Sequence, residues 1–247
     1  MRKTIFYITI SLCLSAVLFA GIQQWSVHND QAKITLSPNP VPTTQESTYF
    51  NPTPPNISLG GIMFTGYKSD GTDAFSIVLL QPITAGTILH FTDRGWDIAD
   101  GGFDTSEGTL TFTFGRDFSC GEEILFEDGG WHATDVNGSS AGTVSESGNF
   151  SLSTSGDQIF AYETPTPTTS NESAFVAAIH MNGNWDSDVS GGNADTESER
   201  PSTFNGSGAT YAIVFGSEYD NDKYDFSTTS GSTTAILSGL GNNSNWQ

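Results

Sequence analysis

The chain has 247 residues, with 8 Lys+Arg against 28 Asp+Glu and a formal net charge of −20. Only 15% of it is charged and 36% is hydrophobic, so the polar remainder is Ser, Thr, Asn and Gly, with 27 glycines. Helix-favouring residues are scarce, which disfavours a mainly helical fold. So acidic a chain is also a poor partner for nucleic acid or anionic lipid. The length suffices for one large domain or two small ones with a sizeable core.

Residues 1–22 place Arg2 and Lys3 ahead of an apolar run from Ile5 to Ile22. That is the pattern of a secretory signal, with Ala20 as the candidate last residue. The run is also close to bilayer length, so a retained signal anchor is the alternative, and the membrane would be touched only through this segment. Loss of residues 1–21 removes two cations and no carboxylate and leaves Cys120 as the single cysteine. An exported chain that cannot form an internal disulfide fits a bacterial or archaeal surface protein. Cys120 itself reads as a buried small hydrophobe, with an intermolecular disulfide as the alternative.

Residues 23–59 read as an extended linker. The stretch 37–56 holds six of the ten prolines, and proline does not join a sheet interior, so the expected form is an exposed, semi-rigid stalk. A five-residue strand candidate, KITLS at 33–37, precedes it. Within residues 31–40 it is a candidate for donation to a neighbouring copy, as in an extracellular fibre.

From residue 60 to 247 the pattern is β-structure with closely spaced turn signals. The expected strands are 62–67, 75–80, 87–93, 108–114, 123–128, 150–153, 157–163, 174–180 and 210–216. In LTFTF, Leu110, Phe112 and Phe114 share one face; in QIFAY, Ile159 opposes Phe160 and Tyr162. Only TTAILSGL (233–240) reads as a helix. Short strands with Gly, Asp and Asn turns indicate a β-sandwich or barrel.

Several stretches together carry a resemblance: 61–96, EGTLTF (107–112), GNFSLSTSGDQIFAYE (148–163), and the run from Tyr211 to Trp246. They are similar to a module of secreted and surface-attached multidomain bacterial proteins. The F-x-L-S-x-S-G-D turn at Phe150–Asp157 resembles the lamin-tail domain, which implies an immunoglobulin-like β-sandwich with an extracellular scaffolding or interaction role and no catalytic residue set. Read without the resemblance, Ser155-Gly156-Asp157 is a turn in which Gly permits positive φ and Asp binds nearby amides.

The strongest local motif is Asp186-Ser-Asp188-Val-Ser190-Gly191, with Glu197 six residues further on. Oxygen ligands at positions 1, 3, 5 and 12 around a glycine at 6 match a calcium loop, so Asp186, Asp188, Ser190 and Glu197 are the candidate metal ligands. Asn193 stands where an aliphatic residue is usual, and no flanking helices are evident. A second acidic run, Glu218, Asp220, Asp222 and Asp225, reads first as a charged turn, and Asp70 and Asp73 read first as a hairpin. Trp96 and Trp131 follow glycines at strand ends; they are expected to cap the core, with stacking on sugar rings as the alternative. His90 and His180 lack metal spacing and read as satisfied strand histidines. Six N-x-S sequons (Asn56, Asn137, Asn149, Asn171, Asn205, Asn242) carry glycans only in a glycosylating host.

The expectation is an all-β, immunoglobulin-like β-sandwich with a short C-terminal helix, behind a signal or anchor helix and a Pro-rich stalk. Its expected function is that of a non-enzymatic, secreted or cell-surface structural or adhesive module, with calcium as the candidate stiffener. Its expected partners are other surface proteins, glycans or copies of itself. The alternatives are a fibre subunit assembled by strand donation, and a carbohydrate-binding module or weak glycosidase using Trp96 or Trp131.

Overall fold

A computed structural model describes residues 56–189, 196–225 and 232–247. The signal, the stalk with KITLS, and Ser190 lie outside these residues. The strands are β1 (Ile62–Lys68), β2 (Ala74–Leu79), β3 (Ile88–Thr92), β4 (Trp96–Asp97), β5 (Gly102–Phe103), β6 (Thr109–Phe114) and β7 (Glu123–Glu127). They continue as β8 (His132–Asp135), β9 (Gly142–Ser147), β10 (Gln158–Tyr162), β11 (Phe175–His180), β12 (Ala212–Val214) and β13 (Asn221–Lys223), followed by the helix α1 (Thr233–Leu240). The protein is all-β, and the helix falls on the residues where the sequence places it. The Ser232 hydroxyl starts this helix by accepting from the Ala235 amide, one of the orphan donors of the first turn.

One sheet runs β13-β1-β2-β7-β8 and the other β12-β11-β10-β3-β6-β9. Every pairing is antiparallel except β11 with β12. Both sheets feed one apolar cluster: Phe64, Phe75, Ile77 and Phe126 come from the first, and Phe91, Leu110, Phe112 and Ile159 from the second. Phe75 stacks on Phe126 at 4.7 Å and meets Phe91 at 5.0 Å. In β6 the alternation is complete, with Leu110, Phe112 and Phe114 buried between half-exposed threonines, as a sheet with one wet face requires.

β1, β2, β10 and β11 are buried almost throughout, so the sheets are covered on both faces at these strands. On the outer face of the first sheet, Met63 and Val78 join a cluster with Ile236, Leu237, Leu240 and Trp246 from the C-terminal segment. Lys223 and Gln247 exchange two backbone hydrogen bonds and fix the chain end to β13. On the second sheet Phe160, Tyr162, Phe175 and Ala178 face outward into a separate cluster with Trp96, Phe103 and Phe204. The opposition of Ile159 to Phe160 and Tyr162 is therefore real, and both sides are dry.

Residues 150–153 differ from expectation: they form no strand. Their amides turn to carboxylates instead. Phe150 N–H donates to Glu146 (2.9 Å), Ser151 to Asp93 (2.8 Å), Leu152 to Asp73 (2.8 Å) and Ser153 to Asp157 (2.9 Å). Phe150 and Leu152 plug the core, and the Trp131 indole donates to the Phe150 carbonyl at 3.2 Å. Asp73 precedes β2 in the first sheet, whereas Asp93, Glu146 and Asp157 belong to the second. The segment is thus a strap sewn to both sheets.

The sequence reading also missed β4, β5, β8, β9 and β13, all short, polar or both. It made 210–216 a strand, whereas Gly206–Tyr211 is a 3-10 turn and only Ala212–Val214 pairs. Cys120 is half-buried rather than buried.

The strap needs Gly108 beneath it, because a Cβ there would lie 2.2 Å from the Phe150 nitrogen and 2.5 Å from the Asn149 carbonyl carbon. Gly108→Ala is expected to cost about 1–3 kcal/mol of unfolding free energy, the usual cost of overpacking. Urea denaturation measures it, and an unchanged midpoint would mean that the strap moves aside freely.

Candidate functional site

Two places gather polar side chains. The first is the end sealed by the strap. Asp93 accepts the Gly108 amide (2.9 Å) on one oxygen and the Ser151 amide on the other. Asp157 accepts Ser153 on one oxygen and its own successor, Gln158, on the other at 2.7 Å. The Gln158 side-chain amide closes the set on the Asp93 carbonyl. Both carboxyls are fully buried. Burial pushes Asp93 up to about 7 against the amide bonds and the nearby Arg94. Burial, and then the charge of Asp93, push Asp157 up as well. Every carboxyl oxygen of this pair holds an amide and none meets solvent, so the pair is a structural knot with no room for a substrate.

A third buried acid, Glu123, accepts the Thr65 hydroxyl at 2.6 Å and leaves its second oxygen without a partner. Burial raises it to about 7. Thr65 and Ser76, hydrogen-bonded to each other at 2.8 Å, make this a small polar island in the first sheet.

The second place is an open cleft of about 360 Å³ on the outer side of the six-stranded sheet. The β4–β5 hairpin, residues 184–187, residues 199–205 and Val214 build it. Its walls include Ile98, Trp185, Asp186, Glu199, Arg200 and Val214, with Asn184, Ser187 and Asn205. Two sets of backbone bonds hold its shape. The Trp96 amide donates to the Ser198 hydroxyl (2.9 Å) and its carbonyl accepts Glu199 (3.0 Å); the Asp186 amide donates to the Ser198 carbonyl (2.9 Å). Glu199 itself is spent on structure, accepting the Ile98 amide at 2.5 Å. Asp186 is lifted by partial burial, against its bond from Ser198.

Trp185 is the half-buried aromatic wall of this cleft. Behind it stands His180, at the end of β11, with ring centroids 4.7 Å apart. His180 is fully buried, and neither ring nitrogen has a hydrogen-bond partner; the Trp185 indole nitrogen has none either. Burial lowers His180 to about 4, opposed only by the backbone of Gly183, so the ring is neutral. The outward face of this strand position is covered by Trp185, and the one polar neighbour left to the ring is the backbone of Gly183.

The sequence candidates fall unevenly. Asp186 lines the cleft, Asp188 is exposed beside it, and Glu197 is half-buried; Ser190 lies outside the described residues. Asp186 and Glu199 form a parallel bridge that draws together the two ends of the intervening loop. Among the described residues no three His, Cys, Asp or Glu side chains converge to hold a metal. Trp96 is fully buried, edge-on to Phe103 and Phe175 at 5.1 Å each. Trp131 is 6% exposed and packs edge-on against Phe150. Both indoles cap the core, and neither offers a face to a sugar ring. His90 is half-buried and stacks on Tyr162 at 5.2 Å. The cleft residues Trp185, Glu199 and Arg200 were missed, although NGNW and SER bracket the acidic loop in the sequence.

Comparison with protein-family models, with curated proteins and with solved structures returned no match.

The buried acids fix the sign of the pH dependence. A carboxyl raised in the folded state weakens folding when ionised, so stability is lost as pH rises toward the folded value and regained below it. Asp93 and Glu123 at about 7, Asp222 at about 6 and Asp157 also raised all act in this direction. His180, lowered to about 4, opposes them only below the ordinary histidine value of 6.5. The midpoint of thermal unfolding is expected to climb as pH falls from 8 to 6. A midpoint that falls across that window would mean that the amide bonds outweigh burial at these carboxyls.

Proposed function

We propose that this is a non-enzymatic, extracellular or cell-surface adhesive module with an immunoglobulin-like β-sandwich frame, and that its contact site is the cleft beside Trp185. The observation that carries this reading is the cleft's lining: the half-exposed indole of Trp185 stands with Asn184, Ser187 and Asn205 beside the charged Asp186, Glu199 and Arg200, over strands β10 and β11 that are buried on both faces. Its volume of about 360 Å³ lies at the small-ligand end of the range for binding pockets. An aromatic face takes the C–H side of a sugar ring, and planar amides take its hydroxyls. The ligand class supported best is therefore a glycan.

Charge supports the same choice. Asp186 and Glu199 against Arg200, on a chain of net charge −20, disfavour anionic ligands. Calcium belongs to the reading as a stiffener of the chain between Asp186, which lines the cleft, and Glu197. Strand donation by residues 31–40 falls outside the described residues and draws no support from the cleft.

The exported chain is expected to bind members of an immobilised glycan panel at neutral pH. Trp185→Ala should abolish that binding while leaving the unfolding midpoint near its original value, and EDTA should weaken it if calcium orders the loop. Absence of binding to every glycan, or binding that survives Trp185→Ala, would overturn the reading.

A further inference from the structure

Four strands end the two main sheets, and three of them are closed off. β13 pairs with the chain end, where Lys223 and Gln247 each donate to the other's carbonyl. β8 is met by residues 139–141, the Ala141 amide donating to the Ala133 carbonyl at 2.9 Å. β12 is three residues long, and its Val214 carbonyl accepts the side-chain amide of Asn243 at 2.7 Å. β9 differs. It is last in the six-stranded sheet, and among the described residues no strand lies on its far side.

The ladder shows which groups this edge presents. Gly115 N–H donates to the Ala141 carbonyl, and the register continues without a shift from Phe114↔Gly142 to Thr109↔Ser147. Antiparallel pairs alternate between bonded and unbonded. Thr143, Ser145 and Ser147 therefore bond β6, while the N–H and C=O of Val144 and Glu146 turn outward. Edge strands are guarded by lysine, proline, a bulge or brevity. β9 has none of these over its six residues. Its one charge, the Glu146 carboxylate, is engaged by the Phe150 amide.

We propose that this edge accepts residues 33–37 of a neighbouring copy, so that copies join head to tail into a fibre. KITLS is five residues closed by Pro38, the length of the edge from Thr143 to Ser147. A peptide added to a sheet edge takes its affinity from main-chain bonds and its register from alternate side chains. Val144 is the β9 side chain that packs on the core. Ile34 and Leu36 beside it widen that core, and Lys33, Thr35 and Ser37 fall with the exposed Thr143 and Ser145. Charge favours this occupant over the β9 of a second copy, because residues 31–40 carry Lys33 and no carboxylate, whereas β9 brings Glu146 and no cation. Reach favours a neighbour over the same copy. The chain enters at Ile57, whose amide donates to Glu163 just after β10, three strand spacings or about 14 Å from β9. Residues 38–55 hold six prolines, and a proline-rich chain of that length spans about 56 Å. A donor segment meeting a different acceptor edge is a heterologous contact, which grows into a filament where its rotation does not close.

The test is sedimentation velocity of the exported chain over rising concentration, with hydrogen exchange at β9. The mass is expected to climb beyond that of a dimer, and the Val144 and Glu146 amides should slow at least tenfold as it does. Thr35→Pro, which removes a ladder donor from the inserted segment, should stay monomeric with those two amides fast. A peptide of residues 31–40 added to the Thr35→Pro chain should slow them again without restoring the polymer. Assembly that survives Thr35→Pro overturns the proposal, as does a monomer whose Val144 and Glu146 amides exchange as an open edge at every concentration. A monomer in which both amides are slow until Thr35→Pro releases them has filled its own edge, which overturns donation between copies. Glycan binding at the cleft is read separately and stands or falls on its own.

Discussion

Four consecutive amides, Phe150 to Ser153, each bound to a carboxylate from a different place in the chain, hold this molecule closed at one end. A β-strand would have shared those amides with a neighbouring strand. Here the donors go to Glu146, Asp93, Asp73 and Asp157, so one short segment ties the start of β2 to the ends of β3 and β9 and the start of β10. Hydrogen bonds to charged or partly charged acceptors are stronger than neutral ones, and burial of Asp93 and Asp157 removes competing water. The same burial makes these acids costly to ionise. The strap is strong as geometry and sensitive to pH for one reason.

With that end closed, the two sheets are free to specialise. The first is covered outside by the C-terminal helix and the Trp246 segment. The second carries an added aromatic layer from Trp96, Phe103, Phe160, Phe175 and Phe204. That layer buries the strands β10 and β11 completely, and its unfinished margin is the cleft. A rigid floor with a ragged polar rim is what a recognition surface requires, since loops on a fixed frame lose little entropy on binding. The layer covers the polar rings of Trp96, Trp185 and His180, and Trp185 is the one of the three that also lines the cleft.

Much of the frame was legible from periodicity. The runs at 62–67, 75–80, 108–114 and 174–180 are strands within a residue or two, and the helix at 233–240 is where its apolar spacing and Ser232 cap put it. The opposition of Ile159 to Phe160 and Tyr162 in QIFAY was legible, and the burial of both faces was not. The strap was not legible as such: FSLS has strand spacing, and nothing local says that its amide partners lie at positions 73, 93, 146 and 157. Short strands such as Asn221–Lys223 owe their pairing to neighbours rather than to their own propensity. At the site, the acidic loop drew attention to Asp186, whereas Trp185 beside it was passed over. Trp96 and Trp131 had equal sequence claims to a surface role, and only packing separates them from Trp185. The partnerless nitrogens of His180 depend on what covers the end of β11, which no sequence pattern expresses.

The account depends most on the strap, and native-state hydrogen exchange of the amides of Ser151, Leu152 and Ser153 tests it most directly. Although these residues belong to no strand and Ser151 is exposed, their amides should exchange only through opening as costly as that of the β3 and β10 amides, and Asp93→Asn should release Ser151 or Gly108 selectively. Exchange of all three at the rate of an exposed loop would contradict the claim that carboxylate-bound amides hold the two sheets together.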